Sequence, residues 1–238
     1  VKKAMEPFWL DKFGNPNAIY KEGRQARAAV SLARAEIAKI IGARPEEIIF
    51  TSGGTESDNL AILGISGGVK QNFSRFAENH LEASLPLGSE ASKSGVRGHI
   101  ITTKFEHPAV LEPCKFLERN GFDVTYLDVG KDGIVNPKDV EKALRSDTIL
   151  ISIIYANNEV GTIQPIREIA KVIRSFKKNL QPVLFHTDAC QAPGYLGLDV
   201  SKLGVDLMTI NGSKIYGPKG GGILYAKKGI KLEPIMRG

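Results

Sequence analysis

The sequence predicts an α/β fold, a mostly parallel sheet flanked by helices, and three observations lead to it. Short apolar runs alternate with longer amphipathic ones along the 238 residues, the pattern of successive strand–helix–strand units. The run Thr148 to Tyr155 is apolar almost without a break, as a strand covered on both faces requires. Polar clusters, several with glycine, follow the strand runs rather than interrupt them, which puts them at strand ends.

Each element has its own signal. Tyr20 to Ile41 reads as a helix, because Ala26, Ala29, Val30, Ala33, Ile37, Ile40 and Ile41 recur at spacings of three and four, making one apolar stripe; Gly42 stops it. Glu47 to Thr51 is a strand, Ser52-Gly53-Gly54 a turn, and Thr55 to Leu63 the start of a helix. His99 to Thr103 is a strand, Ala109 to Asn120 a helix ended by Gly121, and Asp123 to Leu127 a strand. Asn136-Pro137 pairs a capping residue with a proline at the first helical position, and that helix is expected to reach Arg145. After Thr148 to Tyr155 come a helix over Pro165 to Phe176 and strands over Val183 to Phe185, Val205 to Ile210 and Gly222 to Tyr225. Ser66 to Gly98 is rich in Gly, Ser, Asn and Glu and lacks clean periodicity, although Phe73 to Leu85 allows a short helix. It reads as a long surface insertion, either functional or a plain decoration. The whole chain is expected to be one domain carrying that insertion.

Composition narrows the function classes. A hydrophobic fraction of 42% with 24% charged residues is that of an ordinary globular protein. The 32 Lys and Arg exceed the 26 Asp and Glu by six, but the basic residues are scattered and no basic run is interleaved with aromatics. Nucleic acid is therefore not the expected partner. No run is long enough to span a bilayer. Two cysteines, Cys114 and Cys190, make neither a disulfide framework nor a metal site, and a reduced cytoplasmic setting follows.

Five clusters carry the chemistry, each with a plain alternative. Asn211 to Gly222 follows a strand and holds Lys214, either a nucleophilic amine that condenses with an aldehyde or a surface lysine in a glycine-rich loop; the frame of a P-loop is absent. Gly53, Gly54 and Thr55 lead from a strand into a helix, either an anion cradle at the helix N-terminus or a simple cap. Asp188, in Phe185 to Gln191, stands where α/β sheets bind ligands and suits a protonated pyridine nitrogen, or belongs to a turn. His107, in Glu106-His107-Pro108, either stacks on a flat ring or moves protons. Asn157 and Asn158 supply amides at a third strand end, or form a turn. Jointly they offer an anion cradle, an acid, a ring-stacking His, amides and a lysine, the set that pyridoxal phosphate (PLP) needs.

In that order along the chain, Phe13 to Ile19, Thr51 to Leu60, Glu106 to Leu111, Asn157 to Gly161, His186 to Gln191 and Ser213 to Gly220 resemble cysteine desulfurases of aminotransferase class V. They look closer to the iron–sulfur-cluster group than to the selenocysteine-lyase-like group. The resemblance implies the large domain of a fold-type I PLP-dependent transferase. It implies that Lys214 carries PLP and shuttles protons. Gly54, Thr55, Asn211, Gly212 and Ser213 would hold the phosphate region, Asp188 the ring nitrogen, Gln191 the phenolic oxygen, and Asn158 cofactor and substrate. His107 would stack on the ring and assist acid–base steps. The implied reaction takes sulfur from L-cysteine, leaving L-alanine and an enzyme persulfide. The implied setting is a homodimer that passes sulfur to an iron–sulfur scaffold or a transfer-RNA thiolation enzyme. Most relatives have His where this chain has Ser213. The family's N-terminal segment and its small C-terminal domain, with the sulfur-accepting cysteine, lie outside this sequence. Cys114 and Cys190 match neither that cysteine nor its role. The chain is therefore expected to bind PLP without efficient turnover. The alternatives are another class V enzyme, such as a selenocysteine lyase or aminotransferase, and a catalytically inert PLP-binding fragment.

Overall fold

The computed structural model describes residues 1–80, 98–176 and 182–237. Seven strands form a single sheet in the order β1-β7-β6-β5-β4-β2-β3. These are β1 (Ile48–Thr51), β2 (His99–Thr103), β3 (Asp123–Leu127), β4 (Thr148–Ser152), β5 (Leu184–Asp188), β6 (Leu207–Asn211) and β7 (Gly222–Ala226). The run from β3 through β6 is parallel. β7 turns back antiparallel on β6, and β1 pairs antiparallel with β7 at the edge. The expected α/β sheet is thus mostly, not wholly, parallel.

The helices are α1 (Lys2–Met5), α2 (Pro7–Leu10), α3 (Lys21–Ile41), α4 (Gly54–His80), α5 (Pro108–Arg119), α6 (Pro137–Ala143), α7 (Ile166–Ser175) and α8 (Val200–Leu203). They cover both faces of the sheet, which explains the unbroken apolar strands. Ile101, Ile151 and Phe185 face a core with Ile41, Val140, Ile169 and Leu203, while Ile100, Leu150 and Leu207 face another with Ala61, Ile62, Val110 and Leu117. Neighbouring residues on one strand therefore serve opposite cores.

Two expectations are corrected. The stripe predicted on α3 is only partly used: Ala26 and Ile41 are buried, Ala29 and Ile37 are half-buried, and Val30, Ala33 and Ile40 are exposed. The helix is tied down at its C-terminal half, where Arg34 donates to the carbonyl of Ile48 and Gly42, at φ 69°, closes the helix onto Ala38 and Lys39. Second, α4 does not end near Leu63. It continues to His80, through the first part of the segment read as an insertion. Two glycines on this helix, Gly64 and Gly67, are packing glycines. A Cβ on Gly64 or Gly67 would meet Glu233 at 3.1 or 2.9 Å, and the Glu233 amide donates to the Gly64 carbonyl at 3.0 Å. The rest of that segment, 81–97, lies outside the described residues.

Long-range bonds close the sheet edge. Glu47, buried just before β1, accepts the Lys228 amide at 2.8 Å across 181 residues.

Candidate functional site

Five strands, β1, β2, β4, β5 and β6, end on one side of the sheet, and the chain after each end turns into a common cleft. Its walls are Gly54, Thr55, Asp58, His107, Ile154, Ala156, Asn158, Asp188, Cys190, Gln191, Asn211 and Lys214. Ligand sites gather at the carboxyl ends of strands in such sheets, so the topology alone selects this face.

The turn after β1 opens α4. Glu56 reaches back to the Ser52 amide at 2.7 Å and its hydroxyl at 2.6 Å, and these bonds hold the Glu56 carboxyl below its usual range. The cap is thus present, and it leaves first-turn amides such as those of Gly54 and Thr55 without an acceptor within the helix. Gly54 is required by closeness: a Cβ there would stand 2.7 Å from Cys190 Sγ and 3.5 Å from the Asn211 side chain.

Asp188 is the last residue of β5 and is 4% exposed. Its Oδ1 accepts the Cys190 amide at 2.9 Å, which fixes the carboxylate against the cleft. Lys214 sits in a 3-10 turn, Gly212–Ile215, capped by Asn211, whose Oδ1 accepts the Ser213 amide at 3.2 Å and its hydroxyl at 3.1 Å. His107 is the N-cap of α5: Nδ1 accepts the Ala109 amide at 3.1 Å, so Nε2 carries the hydrogen and the exposed ring faces the cleft mouth.

Of the two asparagines after β4, Asn157 makes the turn and Asn158 lines the cleft. Asn157 Oδ1 accepts from Glu159 and Val160, and Nδ2 donates to the Phe105 carbonyl. Eight residues singled out in the sequence thus meet in one place: Gly54, Thr55, His107, Asn158, Asp188, Gln191, Asn211 and Lys214. Gly212 and Ser213 are not among the lining residues. Gly212 faces a neighbouring apolar groove, and the Ser213 hydroxyl is spent on Asn211.

Sequence reasoning passed over Asp58. Its position four residues after Gly54 was the available signal, since that spacing keeps a side chain on the same helix face. The cysteines are thiols: burial pushes Cys114 up to about 12 and pushes Cys190 further still, with the Asp188 charge adding to it.

Comparison with known proteins agrees with this geometry. The signature of the family described as Aminotransferase class-V matches residues 1–75 and 84–238. The chain is 49% identical to Cysteine desulfurase IscS of Dictyoglomus turgidum over 238 residues, which is 100% of this chain and 53% of that protein. It is 46% identical to Putative cysteine desulfurase IscS 1 of Bacillus subtilis, with 100% and 55% covered. Among solved structures it resembles "SspA in complex with cysteine", at 39% identity and TM-score 0.83, covering 99% of this chain and 60% of that one. It also resembles a "NIFS-LIKE PROTEIN", at 36% identity and TM-score 0.83, covering 99% and 57%. The chain spans about half the length of the curated relatives it matches.

Proposed function

Because the chain belongs to the aminotransferase class-V family, we propose that it forms the PLP-binding part of a cysteine desulfurase, which converts L-cysteine to L-alanine and an enzyme persulfide. One observation carries the reading: Lys214, Asp188 and the N-terminus of α4 converge on a single cleft. The donor set suits the cofactor, with a helix terminus for a dianionic phosphate, a buried carboxylate for a pyridinium, and a lysine for an aldehyde. Gly54 leaves backbone amides open where a Cβ would fill the cradle.

When bound, PLP supplies an aldehyde and an electron-withdrawing pyridinium. The chain's residues do the rest. Lys214 would supply the amine that holds the aldehyde and, when not so engaged, would carry protons within the cleft. Asp188, pinned by the Cys190 amide, would be the acid partner of the ring nitrogen. Thr55 and the first-turn amides would hold the phosphate. His107, with Nδ1 occupied, would offer Nε2–H to the bound group, and Gln191 and Asn158 would orient its polar groups. Asn211 acts by shaping the lysine turn. The substrate assigned here is L-cysteine and the assembly a homodimer, a reading supported by exposed apolar residues such as Tyr216 at 90% and Phe13 at 73%. No helix among the described residues is long and apolar enough to cross a membrane.

The test is an absorbance titration of the purified chain with PLP. A visible band that borohydride traps covalently on Lys214, that is absent in Lys214→Ala, and that shifts on adding L-cysteine is the expected result. An intact, folded chain with no such band overturns the reading.

A further inference from the structure

Asp58 is a buried acid that the chemistry above leaves without a role. It lines the cleft with Asp188 and Lys214, yet is only 1% exposed. Its Oδ1 has no hydrogen-bond partner among the described residues. Among those residues its one ion-pair-range neighbour is His186 Nε2, at 3.6 Å.

That histidine does not supply a countercharge. His186 lies on β5, two residues before Asp188, so both face the same side of the sheet. Its Nδ1 is paired with the Ser152 hydroxyl at 2.8 Å and its Nε2 with the Thr209 hydroxyl at 3.1 Å. It is fully buried, and burial pulls the imidazole down to about 3. Asp58 therefore faces a neutral ring. Burial, then the Asp188 charge, raise its carboxyl well above the usual range; a hydrogen bond with the Thr209 side chain opposes this, and Glu106 adds to the rise. Asp58 and Asp188 line the same cleft, and a like charge in a shared buried site disfavours a second ionised carboxyl. Asp188 Oδ1 has a fixed amide donor and Asp58 Oδ1 has no partner among the described residues, so the geometry favours the neutral form at Asp58.

We infer that Asp58 is a positioning residue: a neutral, proton-carrying carboxyl on α4 that leaves Asp188 as the carboxylate available to the ring nitrogen. The inference rests on the reading of the cleft as a PLP site, and it adds to that reading a second acid, one turn below the phosphate cradle, whose neutrality decides which carboxylate meets the ring.

Two measurements test it. The first is the spectrum of 15N-histidine in the native chain without cofactor, at neutral pH. A neutral, non-titrating His186 is expected. A buried imidazolium would mean that Asp58 is an anion paired with it, and overturns the inference. This needs neither a variant nor PLP, so it separates failure here from failure of the proposed function, which shows as no PLP binding at all. The second is PLP affinity in a double-mutant cycle. Asp58→Asn, an uncharged mimic, is expected to bind within about threefold of native, and Asp58→Ala about tenfold more weakly. In an Asp188→Asn background, Asp58→Ala is expected to change affinity less than about twofold, because the carboxylate it positions is gone. An equal loss in both backgrounds means Asp58 is structural only, and a tenfold loss in Asp58→Asn means its charge is needed. Either result overturns the inference. If Asp58→Ala does not fold, the histidine spectrum and Asp58→Asn still decide.

Discussion

Glu106 Oε1 accepts the amide of Ile154 at 2.9 Å, and through this bond the turn that carries His107 is fastened to the strand end that leads to Asn158. The same oxygen accepts the Thr103 hydroxyl at 2.8 Å. The carboxyl is buried, and burial raises it to about 8 despite both bonds. Replacing it by alanine strands a buried amide and hydroxyl, which costs about 1–3 kcal/mol for each unsatisfied group. Glu106→Ala should therefore lower stability by about 2–4 kcal/mol in urea unfolding, whereas Glu106→Gln, which keeps an acceptor, should lose less than about 1 kcal/mol.

The same group makes stability depend on pH. Glu106 goes from an ordinary 4.5 unfolded to about 8 folded. Its contribution is whole below the unfolded value and is lost as pH rises through the folded one. Asp58, also raised, acts in the same direction. His99 and His186 act oppositely: they drop from 6.5 to about 4 and about 3, so their contribution is present above 6.5 and is lost on acidification. The two effects offset each other in mild acid, and the carboxyls dominate from 6.5 to 8. Over that window Glu106 should lower stability by at most about 1.4 kcal/mol per pH unit, the slope flattening towards pH 8, with Asp58 acting in the same direction. Glu106→Gln should remove one carboxyl's share of the slope, which unfolding curves across the window would read directly.

Gly54 and Cys190 share one small space. Gly54→Ala places a Cβ 2.7 Å from Cys190 Sγ, and the first turn of α4 must move away from the cleft. PLP affinity should fall by about tenfold. Adding Cys190→Ala makes room and should recover part of the loss, as a PLP titration of the single and double variants will show.

Asp206 holds the sheet to α7. It is 3% exposed and accepts from Arg174 Nη2 at 2.5 Å, from the Phe185 amide at 3.0 Å, and from Lys227 Nζ at 3.4 Å. Its two cation partners are about half exposed, so removing the carboxylate chiefly leaves the buried Phe185 amide without this acceptor. Asp206→Ala should cost about 1–3 kcal/mol, measured by urea unfolding. Lys227→Ala, which removes a half-exposed partner, should cost less than about 1 kcal/mol.

Local chemistry made most strands legible. His99–Thr103 and Asp123–Leu127 are found where their apolar runs lie, and the Asn136-Pro137 pair opens α6 as capping chemistry requires. What stayed hidden depends on distant residues. The length of α4 was hidden because nothing near Gly64 and Gly67 in sequence reveals Glu233 against the helix. The reversal of β7 and β1 is set by pairing across the sheet, which periodicity does not encode. In the site, Lys214, Asp188 and His107 stood out by their chemistry and line one cleft, whereas the Ser213 hydroxyl is bonded to its near neighbour Asn211. Asp58 was silent because an acid inside a helix usually faces water, and only its burial shows otherwise.

The bond from Lys228 to Glu47 also bears on how the molecule is made. β1, the strand that leads into α4, has its sheet partner in β7, far along the sequence. Until β7 has been synthesised, β1 has no ladder to join and the turn at Gly54 has no Asn211 or Cys190 beside it. Closing so long a loop is entropically slow, so the parallel strands between β2 and β6 can assemble first and wait. The cleft is then completed late in folding, and any ligand that needs both the Gly54 turn and Asn211 can be held only once β7 is in place.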